Sequence, residues 1–173
     1  IAGQDGNALQ FDGVNDYVTL PDLTYTNEFS LSFSFQVADN SGTGIQYFYS
    51  HGAVGVRNAI HVSLVEESYS NSSVRNNLIT TVWDSNDPAS GQVNVDISGL
   101  VGDGQWHSYT MTVTAGGGTQ VYVDGALRGS LATCGDAIDP TGNAYIGARS
   151  DLNPTRFLNA GSCMDSVALF NRA

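Results

Sequence analysis

The carboxylates of this sequence lack the spacing that paired acid–base catalysis on a β-strand requires. Two carboxylates flank a glycosidic bond from one strand only when they project from the same face, at positions i and i+2 or i and i+4. No predicted strand carries such a pair, and the only glutamates are Glu28, Glu66 and Glu67. Because Glu66 and Glu67 are adjacent, they point to opposite faces of an extended chain. We therefore expect no glycosidase-type pair of acids.

The three histidines do not complete a catalytic or zinc motif either. His51, His61 and His107 lack the spacing of zinc ligands, and no GxSxG turn is present to expose a nucleophilic serine. Each histidine falls in or beside a predicted strand, so we expect structural roles. The sequence predicts a protein that is not an enzyme.

Two loops rich in side-chain oxygens are better candidates for a site. They contain the predicted ligand-binding residues Asp84, Asn86, Asp87, Arg149, Asp151, Asn153 and Arg156. Carboxylate and amide oxygens suit Ca²⁺, and they also suit hydroxyl-rich ligands. The first loop lacks the glycine and the closing glutamate of an EF-hand. The alternative is that both loops are ordinary Asx turns.

Nearby residues offer further contacts to a ligand. The segment 66–77 is a candidate specificity loop. Tyr47 and Trp83 would stack on sugar rings if they are exposed, and they belong to the core if they are not.

The charge balance narrows the class of partner. The chain of 173 residues has 17 acidic and 6 basic residues, all of them arginine, and a formal net charge of −11. Such a surface repels nucleic acids and anionic membranes and attracts cations; solubility in a salty medium is the alternative explanation. No run of 18 apolar residues exists, so we expect no membrane insertion.

The elements that must position these loops are strands. Apolar and polar residues alternate with period two along most of the chain, which is typical of an antiparallel sheet with one wet face. In the clearest strand, 29–37, the odd-numbered residues are apolar; in 45–50, Tyr47 and Tyr49 fall on one side and Phe48 on the other. Asp124-Gly125 between two alternating runs predicts a two-residue hairpin turn. Twelve strands are predicted, at 8–12, 16–20, 29–37, 45–50, 59–65, 78–83, 92–97, 106–114, 119–123, 126–131, 144–148 and 164–170. This pattern indicates an all-β antiparallel sandwich or barrel.

Cys134 and Cys163 are the only cysteines. Without CxxC spacing or a histidine cluster, they are best interpreted as one disulfide, which implies an oxidising, extracellular setting. Two buried free thiols are the alternative.

Six phrases, in order, resemble the laminin G-like branch of the concanavalin A-like lectin/glucanase superfamily. They are 8–18 (ALQFDGVNDYV), 29–35 (FSLSFSF), 103–109 (DGQWHSY), 121–125 (VYVDG), 145–147 (YIG) and 164–173 (MDSVALFNRA). The resemblance implies a jelly-roll β-sandwich and one laminin G-like domain over residues 1–173, which we expect to be part of a larger secreted protein. Ile60-His61 faintly resembles part of the alginate-lyase site of this superfamily, but its arginine-rich strand and its YFK phrase have no counterpart.

The resemblance also implies a structural Ca²⁺ site between the first and the closing strand. The matching metal ligands are Asp165, Asp5, Gly6 and Asn7. The alternative is that Asp165 only accepts hydrogen bonds from neighbouring backbone.

The function that the resemblance implies is binding. We expect a carbohydrate-binding, lectin-like module, assisted by Ca²⁺, in an extracellular or cell-surface protein such as an adhesin or a polysaccharide-degrading enzyme. Its partners would be a glycan or polysaccharide, or a cell-surface protein, with the module monomeric. A protein–protein adhesion module is the first alternative, and a divergent glycosidase or lyase is the second.

Overall fold

Two six-stranded antiparallel sheets make up the computed structural model of the chain, which describes residues 1–42, 44–53, 58–83, 91–114, 118–132, 138–153 and 155–173. The strands are β1 (Leu9–Gln10), β2 (Val18–Leu20), β3 (Phe29–Gln36), β4 (Ile45–His51), β5 (Ala59–Val65), β6 (Asn77–Trp83), β7 (Gln92–Asp96), β8 (His107–Thr114), β9 (Gly118–Val123), β10 (Ala126–Leu131), β11 (Ala144–Ile146) and β12 (Cys163–Phe170). Apart from one 3₁₀ turn, Ser72–Val74, no helix occurs in the described ranges. The predicted all-β sandwich is confirmed.

The strand order shows why the chain forms a sandwich. The first sheet has the order β1-β12-β3-β8-β9-β10, and the second has the order β2-β11-β4-β5-β6-β7. Strand β3 shows the predicted alternation, since Phe29, Leu31, Phe33 and Phe35 are at most 2% exposed while the intervening residues are half-buried. One face of each sheet therefore packs into a shared core, and the other face is available for contacts with loops or ligands.

Aromatic rings join the two sheets at the centre of that core. The ring of Phe33 stacks on Tyr109 at 4.7 Å and on Phe48 of the second sheet at 5.5 Å. The buried hydroxyl of Tyr109 also lies 2.6 Å from the hydroxyl of Thr80, on the facing sheet. This hydrogen bond satisfies two polar groups that would be costly to bury alone.

A β-bulge in β4 makes the prediction for 45–50 wrong. Tyr47 pairs with Ser63 and Tyr49 with Val62, so Phe48 has no partner in the register. Phe48 and Tyr49 both join the core, whereas Tyr47 stays outside it. Because the extra residue reverses the alternation, Ser50 now lies on the outer face of the second sheet.

The predicted turn at Asp124-Gly125 is confirmed. Asp124 and Gly125 have φ angles of 53° and 73° between paired strands β9 and β10, as a type I′ turn requires. The Asp124 carboxylate accepts a hydrogen bond from the Ser108 amide at 2.9 Å and contacts His107 Nδ1 at 2.9 Å.

Within the described ranges, no helix has the length and hydropathy needed to cross a bilayer.

Candidate functional site

The outer face of the second sheet, defined as its side chains opposite the core, carries the candidate site. Strand pairing places Tyr145 beside Ser50, Ser50 beside His61 and His61 beside Thr81. These residues form one row across strands β11, β4, β5 and β6. Since neighbouring strands are about 4.8 Å apart, the row is about 14 Å long.

His61 lies in the middle of this row, between two aromatic rings. The ring of Tyr47 meets it edge-on at 5.8 Å, and the ring of Trp83 does so at 6.3 Å. The imidazole is 5% exposed. Burial, followed by the nearby charge of Arg149, lowers the His61 pKa to about 4. The imidazole is therefore neutral at pH 7.

A chain of hydrogen bonds fixes the tautomer of His61. The Ser150 amide donates to Ser50 Oγ at 2.9 Å, and Ser50 Oγ lies 3.0 Å from His61 Nδ1. If Nδ1 were also a donor, the buried Ser50 hydroxyl would have no acceptor among the described residues. We therefore infer that Ser50 donates to Nδ1 and that the hydrogen of the ring is on Nε2. That Nε2 is buried and has no hydrogen-bond partner among the described residues.

Arg149 and Asp151, both predicted ligand-binding residues, form an ion pair beside this row. Arg149 Nε donates to Asp151 Oδ1 at 2.8 Å, and Nη2 donates to Oδ2 at 2.6 Å. This ion pair lowers the pKa of Asp151 and raises the pKa of Arg149. The hydroxyl of Tyr47 also raises the pKa of Arg149. Arg149 is 15% exposed and Asp151 is 46% exposed, so the carboxylate is the accessible end of the pair.

An open pocket of about 320 Å³, which we call the Tyr145 pocket, begins at this ion pair. Its lining consists of Gly52, Ala53, Thr141, Gly142, Asn143, Tyr145, Ser150 and Asp151. The ring of Tyr145 is supported by Tyr17, whose own ring stacks on Phe157. The side chains of Thr141 and Asn143 are exposed. The pocket thus combines one aromatic wall with several polar groups.

The two remaining predicted residues of the second loop lie outside the pocket lining. Asn153 Oδ1 accepts from the Thr155 amide and hydroxyl, at 3.0 and 2.9 Å, which is the Asx-turn role that the sequence left open. The guanidinium of Arg156 lies near Gly44 and Glu66. Its Nε and Nη1 are buried without a hydrogen-bond partner in the described part of the chain. The structure brings together Arg149 and Asp151, but not Asn153 and Arg156, around the pocket.

Glu66, at the start of the predicted specificity loop, is buried in a polar network. Its carboxylate accepts hydrogen bonds from the Asn159 amide group at 2.9 Å and from the Gly44 backbone. With both oxygens engaged and the side chain 8% exposed, Glu66 anchors loops and does not face the pocket.

The first predicted loop, with Asp84, Asn86 and Asp87, lies outside the described residues. So does Cys134. Cys163 is a free, buried cysteine whose thiol is 3.4 Å from the Gly161 carbonyl oxygen. Because Cys134 lies outside the described residues, the predicted disulfide between Cys134 and Cys163 stays a prediction. The Cys163 side chain is already enclosed at the start of β12, and burial raises its thiol pKa, as expected for an inert core thiol.

Asp165, the predicted Ca²⁺ ligand, lies beside the N-terminal loop. Its Oδ2 accepts from the Asp5 amide at 3.0 Å, and its Oδ1 accepts from the Ser166 amide at 2.6 Å. These bonds, with that of Asp5 the strongest, lower the Asp165 pKa. Asp165 thus fills the backbone-capping role that the sequence left open. Its carboxylate keeps further lone pairs, so the Ca²⁺ site stays a prediction. In the described ranges, no three His, Cys, Asp or Glu side chains converge as a metal site.

Several pocket residues were missed by sequence reasoning. Tyr145 lies in β11, in a phrase that indicated the fold and not a site, and Thr141 and Asn143 lie in the loop before it, which carries no motif. His61 gave a weak signal, because it is a polar residue in a strand of otherwise small or apolar residues. Its neighbour Ser50 was hidden by the bulge at Phe48, which no sequence feature marks.

Comparison with known proteins agrees with this fold. A laminin G family model, described as the concanavalin A-like lectin/glucanases superfamily, matches residues 12–173. No curated protein matches the sequence.

Solved structures share the fold at low sequence identity. Domains LG4-5 of the mouse laminin α1 chain superpose with a TM-score of 0.68 at 16% identity, covering 99% of this chain and 44% of that one. A heptameric SAP-like pentraxin from Limulus polyphemus superposes with a TM-score of 0.69 at 18% identity, covering 95% of this chain and 75% of the pentraxin chain. The CBM40 of a Ruminococcus gnavus IT-sialidase, bound to α2,3-sialyllactose, superposes with a TM-score of 0.66 at 11% identity. The match covers 96% of this chain and 90% of the CBM40 chain.

The chain therefore spans less than half of the laminin structure, and these likenesses establish the fold alone. The family match covers nearly the whole sequence, with the strand order and the core in agreement. This protein belongs to the concanavalin A-like lectin/glucanases superfamily, in its laminin G group.

Proposed function

We propose that this domain is a carbohydrate-binding module that holds its glycan in the Tyr145 pocket. The observation that carries the proposal is the composition of that pocket, in which one aromatic ring faces exposed amide, hydroxyl and carboxylate groups. A sugar ring has an apolar face that packs on an aromatic side chain and a rim of hydroxyl groups that need hydrogen-bond partners.

The pocket is suited to hydroxyl groups because its polar atoms are free to bond. The side chains of Thr141 and Asn143 have no hydrogen-bond partner among the described residues and are exposed. Asp151 keeps acceptor capacity beyond its pairing with Arg149 and the Asn153 amide, because an ionised carboxylate offers about four lone-pair sites. The pocket thus presents both donors and acceptors to a sugar.

The same residues favour binding over catalysis. Among the residues that the structure describes, Asp151 is the only carboxylate in the pocket lining, whereas glycoside hydrolysis needs two that flank the bond. The neutral imidazole of His61 carries its hydrogen on the buried Nε2, so it is a hydrogen-bond donor there and not a base.

Relatives of similar fold support the proposal without deciding it. The CBM40 structure was solved with a bound oligosaccharide. We propose that the present module acts outside the cell or at its surface, within an adhesin or beside a polysaccharide-degrading enzyme. Ca²⁺ assistance is part of the proposal: an ion bound near Asp165 would stabilise the domain by joining the N-terminal loop to β12.

A glycan array tests the proposal. The domain should bind a subset of glycans in buffer with Ca²⁺, and a repeat with EDTA measures the contribution of the ion. A blank array together with saturable binding to a purified surface protein would replace this proposal with the adhesion-module alternative. Release of reducing or unsaturated ends from a polysaccharide panel would overturn the non-catalytic part.

A further inference from the structure

We propose that the ligand of the Tyr145 pocket is an uncharged glycan, and that Asp151 sets this selectivity by occupying the carboxylate-binding edge of Arg149. The inference rests on the proposed function and narrows it to one class of sugar. It concerns Asp151 as a specificity-determining residue.

The geometry of the ion pair is the first argument. The Nε and Nη2 edge of a guanidinium is one of its two forks that receive a carboxylate or sulfate through two parallel hydrogen bonds. In this protein both atoms of the Arg149 fork bond to Asp151 of the same chain. To bind this edge of Arg149, an acidic sugar would have to displace the carboxylate of Asp151, which lies only two residues further along the chain.

The described residues of the site provide no replacement for that positive charge. Among them, Asp151 is the only charged side chain in the pocket lining. The imidazole next to the pocket is neutral, since burial lowers the pKa of His61 to about 4. Arg156 lies at the Gly44 end of β4, outside the lining. Among the described residues around the pocket, no cation is left for an anionic ligand.

The charge of the whole chain acts in the same direction. A formal net charge of −11 with no lysine creates a negative potential that opposes the approach of sialylated, uronic or sulfated glycans. Neutral sugars do not experience this repulsion. Local pairing and global charge therefore favour the same ligand class.

A charge-neutralising substitution tests the inference. Lactose and α2,3-sialyllactose differ by one carboxylated sugar, and both are titrated into ¹⁵N-labelled wild-type protein and Asp151→Asn at low ionic strength. In Asp151→Asn the fork of Arg149 is free, and one charge-assisted bidentate contact should raise the affinity for α2,3-sialyllactose about tenfold over wild type. This gain should decrease as salt is added.

Two further variants make the result specific. Glu28→Gln removes one exposed negative charge at the entry to β3 and should give no gain, which separates local pairing from net charge. Arg149→Ala combined with Asp151→Asn should remove the gain. A wild-type protein that binds α2,3-sialyllactose tenfold better than lactose, or an Asp151→Asn variant without any gain, would overturn the inference. A blank array would overturn the proposed function itself, whereas array binding without the Asp151→Asn gain would overturn this inference alone.

Discussion

At the scale of single residues, the site depends on how buried polar groups are paired. Ser50 connects the Ser150 amide to His61 and thereby directs the Nε2–H of the imidazole away from Ser50. Asp151 occupies the fork of Arg149 in the same way. In both cases a hydrogen-bond partner from the same chain occupies one polar atom or edge of the side chain and leaves the other polar atoms unoccupied.

The burial of neutral His61 predicts a pH dependence of stability. Its pKa is lowered to about 4 in the folded state, whereas an unfolded histidine titrates near 6.5. Between these values the unfolded chain binds the proton and the folded chain does not, so this contribution to stability is present above pH 6.5 and is lost as the pH falls to 4. The loss is about 3 kcal/mol at most.

Urea unfolding of wild type and His61→Gln, at intervals from pH 7 to pH 4, measures this effect. The free energy of unfolding of wild type should fall relative to that of His61→Gln across this range. A difference between the two proteins that does not change with pH would contradict a neutral, buried His61.

The sequence identified part of the site at this scale and missed another part. Arg149 and Asp151 were found because charged and Asx residues cluster in a short segment, which needs no knowledge of the fold. Tyr145 and His61 were not, because their juxtaposition depends on strand register between segments 84 residues apart in the sequence. Such register depends on long-range pairing and not on local composition.

At the scale of elements, two local irregularities shape the second sheet and the hairpin of the first. The bulge at Phe48 moves Ser50 to the outer face and Tyr49 into the core. The turn at Asp124-Gly125 closes the hairpin β9–β10. The turn was predictable because Asp-Gly has a known backbone preference; the bulge was not, since no residue in β4 demands it.

The turn yields a prediction about backbone strain. Gly125 has a φ of 73°, and a Cβ placed on it would contact nothing within 4 Å. Gly125→Ala should therefore cost about 1 kcal/mol through conformation alone. Gly99→Ala is the matched control, because Gly99 has equally open surroundings without a positive φ. Equal unfolding free energies for the two variants would show that the turn does not require a left-handed residue.

At the scale of the whole molecule, the chain is an acidic concanavalin A-like domain with few positive charges. The alternation in β3 was predictable from the sequence, because period-two patterning reports directly on a half-buried sheet. The order of the strands in the two sheets was not, because it depends on long-range pairing. The disulfide stays a prediction, because no disulfide is found for the buried Cys163 and Cys134 lies outside the described residues. Counting cysteines gives no information on the distance between them in the fold.

Ca²⁺ binding is a prediction at this scale, since the ion would join the N-terminal loop to β12. If Ca²⁺ binds near Asp165, EDTA should lower the melting temperature, and Asp165→Asn should abolish this sensitivity. A Ca²⁺ concentration of 100 times Kd would raise the free energy of unfolding by about 2.7 kcal/mol. If the melting temperature of the wild type is the same with Ca²⁺ and with EDTA, Asp165 only accepts hydrogen bonds from the neighbouring backbone and binds no structural ion.

The central claim is that a glycan binds in the Tyr145 pocket on the outer face of the second sheet. The most direct measurement is the Kd of the best array glycan for Tyr145→Ala, Asn143→Ala and Tyr122→Ala, each checked for an unchanged fold by its melting curve. Tyr122 is the matched control, because it is a half-buried tyrosine on the outer face of the first sheet. We expect the two pocket variants to bind at least about tenfold more weakly, with Tyr122→Ala equal to wild type. Folded pocket variants that keep full affinity would contradict the claim.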